Sequence, residues 1–317
     1  MRDPDAPQPR VARLARSSVV KREHGRPGPM ITGVAALIGA ACVGGSAAVV
    51  AKAAYDAGGD PRSLISARFV LVGVLALVLL AASRERGARP AMGLCAATGL
   101  ALFMAEACVL FAIERLPAAV TILIVFSAPA WIAITERLLW NRRLPPSTWL
   151  SIGAVLAGLL VMAWPFGSSL DLLGALLALA GAGFLAAFLL LLDASLKRSN
   201  PDRTVLLMLI VAGLAGFVLD PTALGSVVDS ESLLPYVLGY ATVVAAWMVL
   251  LAIGIRTTGA VTAAVISALE PVWVAIAALI VLNEGLGLRE VGGGVIVMAG
   301  VLLVSLTAIG SDSTVTT

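Results

Sequence analysis

Ten long apolar runs are the feature of this sequence that most restricts its fold. A helix needs about 20 mostly apolar residues to cross a bilayer, and each run approaches that length before charged residues, Pro or Gly interrupt it. Strands of a membrane barrel alternate polar and apolar side chains over about 10 residues, and these runs do not alternate. We therefore predict an all-α membrane protein with ten transmembrane helices. The predicted helices occupy about residues 30–51, 63–82, 91–112, 117–139, 147–165, 171–192, 203–220, 233–253, 258–282 and 287–308.

The composition indicates that lipid surrounds most of the chain. Of the 317 residues, 60% are hydrophobic and 13% are charged. In soluble domains about a quarter of all residues are charged. A nucleic-acid-binding protein presents a basic face on a folded domain, but the Lys and Arg residues of this chain cluster in its N-terminal segment and in short gaps between apolar runs. We therefore predict a lipid bilayer and a small-molecule substrate as partners, and no nucleic acid.

The sequence contains no pattern typical of a cofactor or a catalytic site. Cys42, Cys95 and Cys108 lie inside apolar runs, and the single histidine, His24, lies in the polar N-terminal segment. Zinc, haem and iron–sulfur sites need clustered His or Cys ligands. Nucleophile-elbow, P-loop and H-E-x-x-H patterns are also absent from the sequence. We predict no metal, no cofactor and no enzymatic activity.

The gaps between the apolar runs alternate in charge. The segment that ends at Arg26 is rich in Lys and Arg, and the gaps after the second, fourth, sixth and eighth helices are basic, whereas the intervening gaps are poor in basic residues. Cytoplasmic loops carry an excess of Lys and Arg. We therefore predict a multi-pass protein of the bacterial inner membrane with both termini in the cytoplasm.

The two ends of the chain are predicted to be tails. Residues 1–29 are rich in Arg and Pro and lack a sustained apolar face, which indicates a disordered basic cytoplasmic tail. A mitochondrial presequence and a translation start at Met30 are the alternatives. Residues 309–317 are expected to form a short C-terminal tail.

The sequence contains an internal duplication. A shift of 142 residues aligns residues 117–134 with residues 259–276 without a gap, and this shift, which we call the repeat register, keeps Pro and Trp in place there and Asn further along the chain. The pairs are Pro129 with Pro271, Trp131 with Trp273 and Asn141 with Asn283. Because five is an odd number of spans, two five-helix repeats, residues 30–165 and 171–308, would be inserted with opposite orientation. Inverted repeats of this kind support alternating access in transporters.

Both repeats resemble the EamA family of the drug/metabolite transporter superfamily. The resemblance is carried by FAIERLPAAVTILIVFSAPAWIAITERLLWNRRL and by AIGIRTTGAVTAAVISALEPVWVAIAALIVLNEGLGLREVGGGVIVMAGVLLV, which contains the Glu270-Pro271 pair. Arg68 in SARFVLVG also resembles the Arg-Phe of that family. Two departures are Arg142, where the family has an acidic residue, and a first helix without an aromatic residue. The resemblance implies export or exchange of small metabolites such as amino acids.

Glu270 is the leading candidate for substrate binding or proton coupling. It lies about 15–18 Å into the ninth predicted helix, near the middle of the bilayer, where an acidic side chain is costly unless it faces a cavity or a partner. Pro271 removes one hydrogen bond and predicts a kink. The structural alternative is a protonated side chain that bonds a neighbouring helix.

Glu106 and Arg68 are further candidates. Glu106 lies about two-thirds of the way along the third predicted helix, and a binding role and a structural hydrogen bond are both open for it. Arg68 lies one turn inside the second helix. Its side chain could extend to the headgroups, neutralise Glu106 or Glu270, or bind a substrate carboxylate.

For several other residues, helix packing is the simpler interpretation. Trp131 and Trp273 lie near mid-depth and are candidates to line a cavity together with Trp247 and Tyr240, and Pro129 is predicted to kink the fourth helix. Small residues predict close helix approach, and Glu136 and Asp193 are expected to be exposed at helix ends. The small-residue positions are Ala40 with Gly44 and Ala154 with Gly158.

The sequence favours a secondary transporter, with proton coupling as one mechanism. A membrane-embedded enzyme would need clustered catalytic residues near an interface, and a membrane scaffold normally carries a soluble domain. Neither feature is found in the sequence. Substrate, direction and oligomeric state are left open.

Overall fold

A computed structural model describes residues 29–314 except 84–90, 117, 140, 142–143, 164–170, 231 and 282–286. Every regular element within these ranges is a helix. The predicted N-terminal tail, Arg142 and Asn283 therefore lie outside the described residues. The helices, numbered in chain order, are α1 Pro29–Asp56, α2 Pro61–Ala82, α3 Met92–Ile113, α4 Ala118–Val125, α5 Ala128–Leu139, α6 Pro146–Ala163, α7 Leu172–Arg198, α8 Pro201–Leu219, α9 Ala223–Val228, α10 Leu234–Thr258, α11 Ala260–Ser267, α12 Glu270–Val281 and α13 Leu288–Thr314.

The apolar helices make the chain a multi-pass membrane protein. Eight segments of the described chain are long and apolar enough to cross a bilayer: α1, α2, α3, the α4–α5 pair, α7, α8, α10 and α13. Two shorter apolar segments, Pro146–Met162 and Ala260–Val274, occupy the positions of the fifth and ninth predicted spans. We call the membrane face at which α1 begins the near face, and the opposite one the far face.

Two of the predicted spans are not continuous helices. The fourth span breaks at residues 126–127 and the ninth at residues 268–269, and a proline is the second residue of each following helix. Pro129 and Pro271 have no backbone N–H to donate to the carbonyl four residues earlier. The chain instead forms tighter turns at the break, in which the Leu269 N–H donates to the Ile266 carbonyl at 3.0 Å.

Several predicted helix ends were wrong by more than one turn. Helices α7 and α10 continue to Arg198 and Thr258, and the short helix α9 was not predicted. The α7 extension is polar, and the Lys197 ammonium contacts the Asp193 carboxylate one turn earlier at 2.7 Å. Asp193 and Glu136, which we expected to be exposed, are buried at 7% and 5% exposure. Hydrophobicity marks the apolar part of a helix only, and helix packing buries these polar ends.

Equivalent helices of the two halves begin in the same way. The Asp60 side chain accepts the Ser63 N–H at 2.9 Å just before Pro61, and the Asn200 side chain accepts two N–H groups of α8 just before Pro201. A side-chain oxygen at the N-cap satisfies donors that have no intrahelical acceptor, and a proline in the first turn loses no hydrogen bond. The shared cap-and-proline start places α2 and α8 at matching positions in the two halves.

Helices α2 and α8 pack against each other through glycine. A Cβ on Gly73 would lie 2.9 Å from the Cα of Gly213, and a Cβ on Gly213 would lie 2.8 Å from the Cα of Gly73. The same two Cβ positions would approach the carbonyls of Leu209 and Phe69, at 3.2 and 2.9 Å. Residue numbers rise along one helix as they fall along the other, so the pair is antiparallel.

The last helices of the two halves, α6 and α13, form a second antiparallel pair. A Cβ on Gly158 would lie 2.7 Å from the Gly293 carbonyl oxygen, and a Cβ on Gly300 would lie 2.9 Å from the Ser151 carbonyl oxygen. In the repeat register Gly158 corresponds to Gly300, and Ser151 corresponds to Gly293. The two contacts are therefore equivalent. The predicted close approach at Gly158 is therefore confirmed.

The remaining long helices pack across the two halves. Helix α1 packs most extensively against α10, and α3 against α7. The repeat register carries α1 onto α7 and α3 onto α10, so these two helix pairs also correspond. The side chains that the sequence singled out lie between them.

Candidate functional site

Glu270 is the first residue of α12, immediately after the helix break, and it lies against two glycines of α1. A Cβ on Gly44 would lie 3.2 Å from the Glu270 carboxyl carbon, and a Cβ on Gly45 would lie 3.0 Å from the Glu270 carbonyl oxygen. Any larger side chain at these two positions would push the carboxyl group or α12 away. The Gly44-Gly45 pair therefore sets the position of the acidic side chain.

Two tryptophans flank this contact. A Cβ on Gly44 would lie 2.9 Å from Cδ1 of Trp247 on α10, and a Cβ on Gly45 would lie 3.0 Å from Cδ1 of Trp273 on α12. The acidic group and both indoles thus share one short segment of α1. An aromatic face beside a carboxylate is a suitable surface for an organic cation.

Each indole has a further contact that fixes its orientation. The Trp273 Nε1–H donates to Ser46 Oγ at 3.1 Å, and Ser46 in turn donates to the Cys42 carbonyl at 2.9 Å. The Trp247 ring stacks on Phe188 of α7 with centroids 6.3 Å apart and 25° between the ring planes. The two tryptophans are therefore held by neighbours on α1 and α7.

Arg68 of α2 is paired with Glu106 of α3. Its Nη2 lies 3.1 Å from Glu106 Oε2, and the arginine side chain is only 4% exposed. The guanidinium carbon also lies 4.5 Å from the ring centroids of Phe69 and Tyr240. The structure therefore places this side chain on a carboxylate between two aromatic rings, away from the headgroups.

One face of α10 links the Arg68–Glu106 pair to Glu270. Glu106 is 40% exposed. Tyr240 and Trp247 are two helical turns apart on α10, so they lie on the same face about 10 Å from each other along the helix. The Arg68 pair and the Glu270 carboxylate are thus joined by one aromatic face of α10.

The cluster lies well inside the bilayer. The rise from Ala260 to Glu270 corresponds to about 15 Å from the near face. Trp247 lies midway between the ends of α10. Charged groups at this depth are costly and normally serve a pathway or a binding site.

Trp131 and Pro129 are not brought into this cluster by the described contacts. The Trp131 side chain is 41% exposed, and its indole N–H donates to Ser127 one turn earlier at 3.2 Å. The position that corresponds to Glu270 in the first half is Ala128, which is buried. The candidate site therefore uses the second broken helix and not the first.

The sequence patterns did not point to Ser46, Gly45 or Phe188. Phe188 had no signal beyond its apolar helix, whereas the Gly-Gly-Ser sequence at residues 44–46 is unusual for the middle of a long helix. The spacing of Gly44 from Ala40 predicted helix packing alone. Among the described residues, no group of three or more His, Cys, Asp or Glu side chains could hold a metal ion.

Comparisons with known proteins agree with this architecture. The profile of the EamA-like transporter family matches twice, over residues 31–164 and 172–306. One solved structure, described only as "Crystal structure of protein", is similar in fold with a TM-score of 0.72 at 17% sequence identity. The match covers 88% of this chain and 98% of the chain in that structure. No curated protein sequence matches. Because the two family matches span most of the chain, it belongs to the EamA-like transporter family, as the resemblance of both repeats predicted.

Proposed function

We propose that this protein is a secondary transporter that exports small metabolites, amino-acid-like or drug-like, by alternating access. Family membership makes it a membrane transporter of the drug/metabolite superfamily. The observation that carries the finer proposal is the Arg68, Glu106 and Glu270 cluster, which lies at mid-depth among aromatic side chains. Lipid does not explain charged groups there, whereas a substrate pathway does.

The proposal includes ten spans arranged as two inverted five-helix repeats, residues 30–165 and 171–308. Its support is the antiparallel packing of corresponding helices, α2 with α8 through Gly73 and Gly213, and α6 with α13 through Gly158 and Gly293. Helices at matching positions run in opposite directions when the second repeat is inverted. We also propose that the near face is cytoplasmic in a bacterial inner membrane, because the basic gaps lie there.

Packing of the broken helices supports alternating access. The halves nearer the near face, α5 and α11, pack against each other. The far halves, α4 and α12, make little contact with each other within the described residues, and they pack against α7 and α1. The broken helices thus meet on the near side of the site and not on the far side, as expected for one of the two states of a transporter that exposes its site alternately.

The test is transport by purified protein in liposomes. Vesicles are loaded with isotope-labelled amino acids and organic amines, and efflux is followed with and without a pH gradient. We expect efflux that Glu270→Gln reduces at least 10-fold, while Glu114→Gln, the same change at an ion pair 45% exposed near the far face, changes it less than about twofold.

Two outcomes would contradict this proposal. No efflux of any compound from vesicles that contain folded protein would contradict the transport function itself. Efflux that Glu270→Gln leaves within about twofold of the wild type would contradict the place of Glu270 in the substrate pathway.

A further inference from the structure

The site holds more acidic groups than basic ones. Arg68 contributes one positive charge, and Glu106 and Glu270 contribute two carboxyl groups. The guanidinium of Arg68 is already engaged by the Glu106 carboxylate at 3.1 Å and by the faces of Phe69 and Tyr240 at 4.5 Å. Its positive charge is therefore committed to groups of the protein.

Glu270 is in a different situation. Among the residues that the structure describes, none donates a hydrogen bond to its carboxylate. Its neighbours across Gly44 and Gly45 are the indoles of Trp247 and Trp273. Indole rings attract cations through their faces, so they complement the same kind of ligand as the carboxylate.

We infer that the site selects substrates that carry a net positive charge, such as primary amines and quaternary ammonium compounds, over zwitterionic amino acids. The cation would bind between Glu270 and the two indoles. This inference rests on the proposed transport function and narrows its substrate class.

The site disfavours a zwitterion because of the carboxylate that the zwitterion carries. Its carboxylate would need a cationic partner, and the cation of the described site, Arg68, is 4% exposed and paired with Glu106. A second carboxylate could reach this buried guanidinium only by displacing Glu106 or one of the rings of Phe69 and Tyr240. It would also place a third carboxyl group beside Glu106 and Glu270, and like charges at close range disfavour each other.

The test compares ligands that differ only in a carboxylate. Purified protein in detergent is titrated by calorimetry with three matched pairs: phenethylamine and phenylalanine, isoamylamine and leucine, tyramine and tyrosine. We expect the amine to bind at least 10-fold more tightly than the amino acid in at least two of the three pairs. Tighter binding of the amino acids, or no binding of any amine, would overturn the inference.

Two variants separate charge selection from a merely structural role. Glu106→Gln releases Arg68 and raises the net charge of the site by one, so the preference for amines should fall at least 10-fold or reverse. Glu270→Gln should abolish amine binding, and Glu114→Gln should change neither. An unchanged amine preference in a folded Glu106→Gln variant would overturn the inference, and the wild-type comparison decides alone if that variant does not fold.

Failure of the inference and failure of the proposed function give different results. If liposomes transport amino acids that bind more tightly than the matching amines, the transporter stands and the charge selection is wrong. If amines bind as expected but no compound crosses the membrane, the site is assigned and the transport function is wrong.

Discussion

The contact between Gly73 and Gly213 makes a quantitative prediction. In Gly213→Ala, the new Cβ would lie 2.8 Å from the Cα of Gly73 and 2.9 Å from the Phe69 carbonyl oxygen. Both neighbours are backbone atoms, so no side chain can rotate away. Carbon atoms prefer separations of about 3.5–4.0 Å, so α2 and α8 would have to separate by about 0.7 Å.

The expected cost follows from two opposing effects. Overpacking of a core costs about 1–3 kcal/mol, and replacing a helical Gly by Ala returns up to about 1 kcal/mol. We expect a net loss of about 1–2 kcal/mol in Gly213→Ala. A loss of about 1 kcal/mol shifts the Tm by about 2–4 °C in proteins of a few hundred residues, so the Tm of the detergent-solubilised protein should fall by about 2–8 °C.

Gly183→Ala is the matched control. Gly183 lies within α7, and nothing lies within 4 Å of a Cβ at this position. The same change of residue should therefore leave the Tm unchanged or raise it by up to about 4 °C. The reasoning is refuted if the two variants melt within about 1 °C of each other, because the close approach of α2 and α8 would then carry no packing cost.

Two further predictions concern the site and the orientation of the repeats. Ser46→Ala leaves the Trp273 indole N–H without its acceptor and should destabilise the protein by about 1–3 kcal/mol, whereas Ser305→Ala, whose hydroxyl bonds only its own helix, should have little effect in the same thermal melt. Equal shifts would contradict the role of Ser46. Single cysteines at Asn141 and Asn283, in a background without native cysteines, should react with an impermeant thiol reagent from opposite faces of the membrane, and labelling from one face would exclude inverted repeats.

The parts of the fold that sequence could predict depend on local physics. Long, continuously apolar runs identify membrane helices because lipid offers no hydrogen bonds to an exposed backbone. Pro129 and Pro271 marked the two breaks because a proline lacks the N–H that a continuous helix requires. Glu270 was singled out as a candidate because a carboxyl group at its depth is costly.

Other parts depend on contacts that are distant in sequence. Arg68 had three alternative roles, and its position in α2 could not choose among them because the choice depends on Glu106 and Tyr240. The exposure of Asp193 was predicted wrongly because its burial depends on how other helices pack around α7. A short stretch of sequence does not determine which distant helix a side chain will face.

The two repeats share their helix packing, but they do not share the charged residues of the site. Each charged residue of the site corresponds to an uncharged one in the other repeat. Glu106 pairs with Met248 and Glu270 with Ala128 in the repeat register, and Arg68 pairs with Met208 when α2 and α8 are aligned at Pro61 and Pro201.

These three counterparts are buried, at 0% to 1% exposure, so they fill space where the site carries charge. The helix contacts through glycine are reciprocal, and a reciprocal interface can form two related arrangements of similar energy, as alternating access requires. The charges cannot be exchanged in this way, because only one repeat member at each position is ionisable. In the proposed alternating-access mechanism, two related packing arrangements would therefore share one site, and the Glu270 carboxyl group would serve both of them.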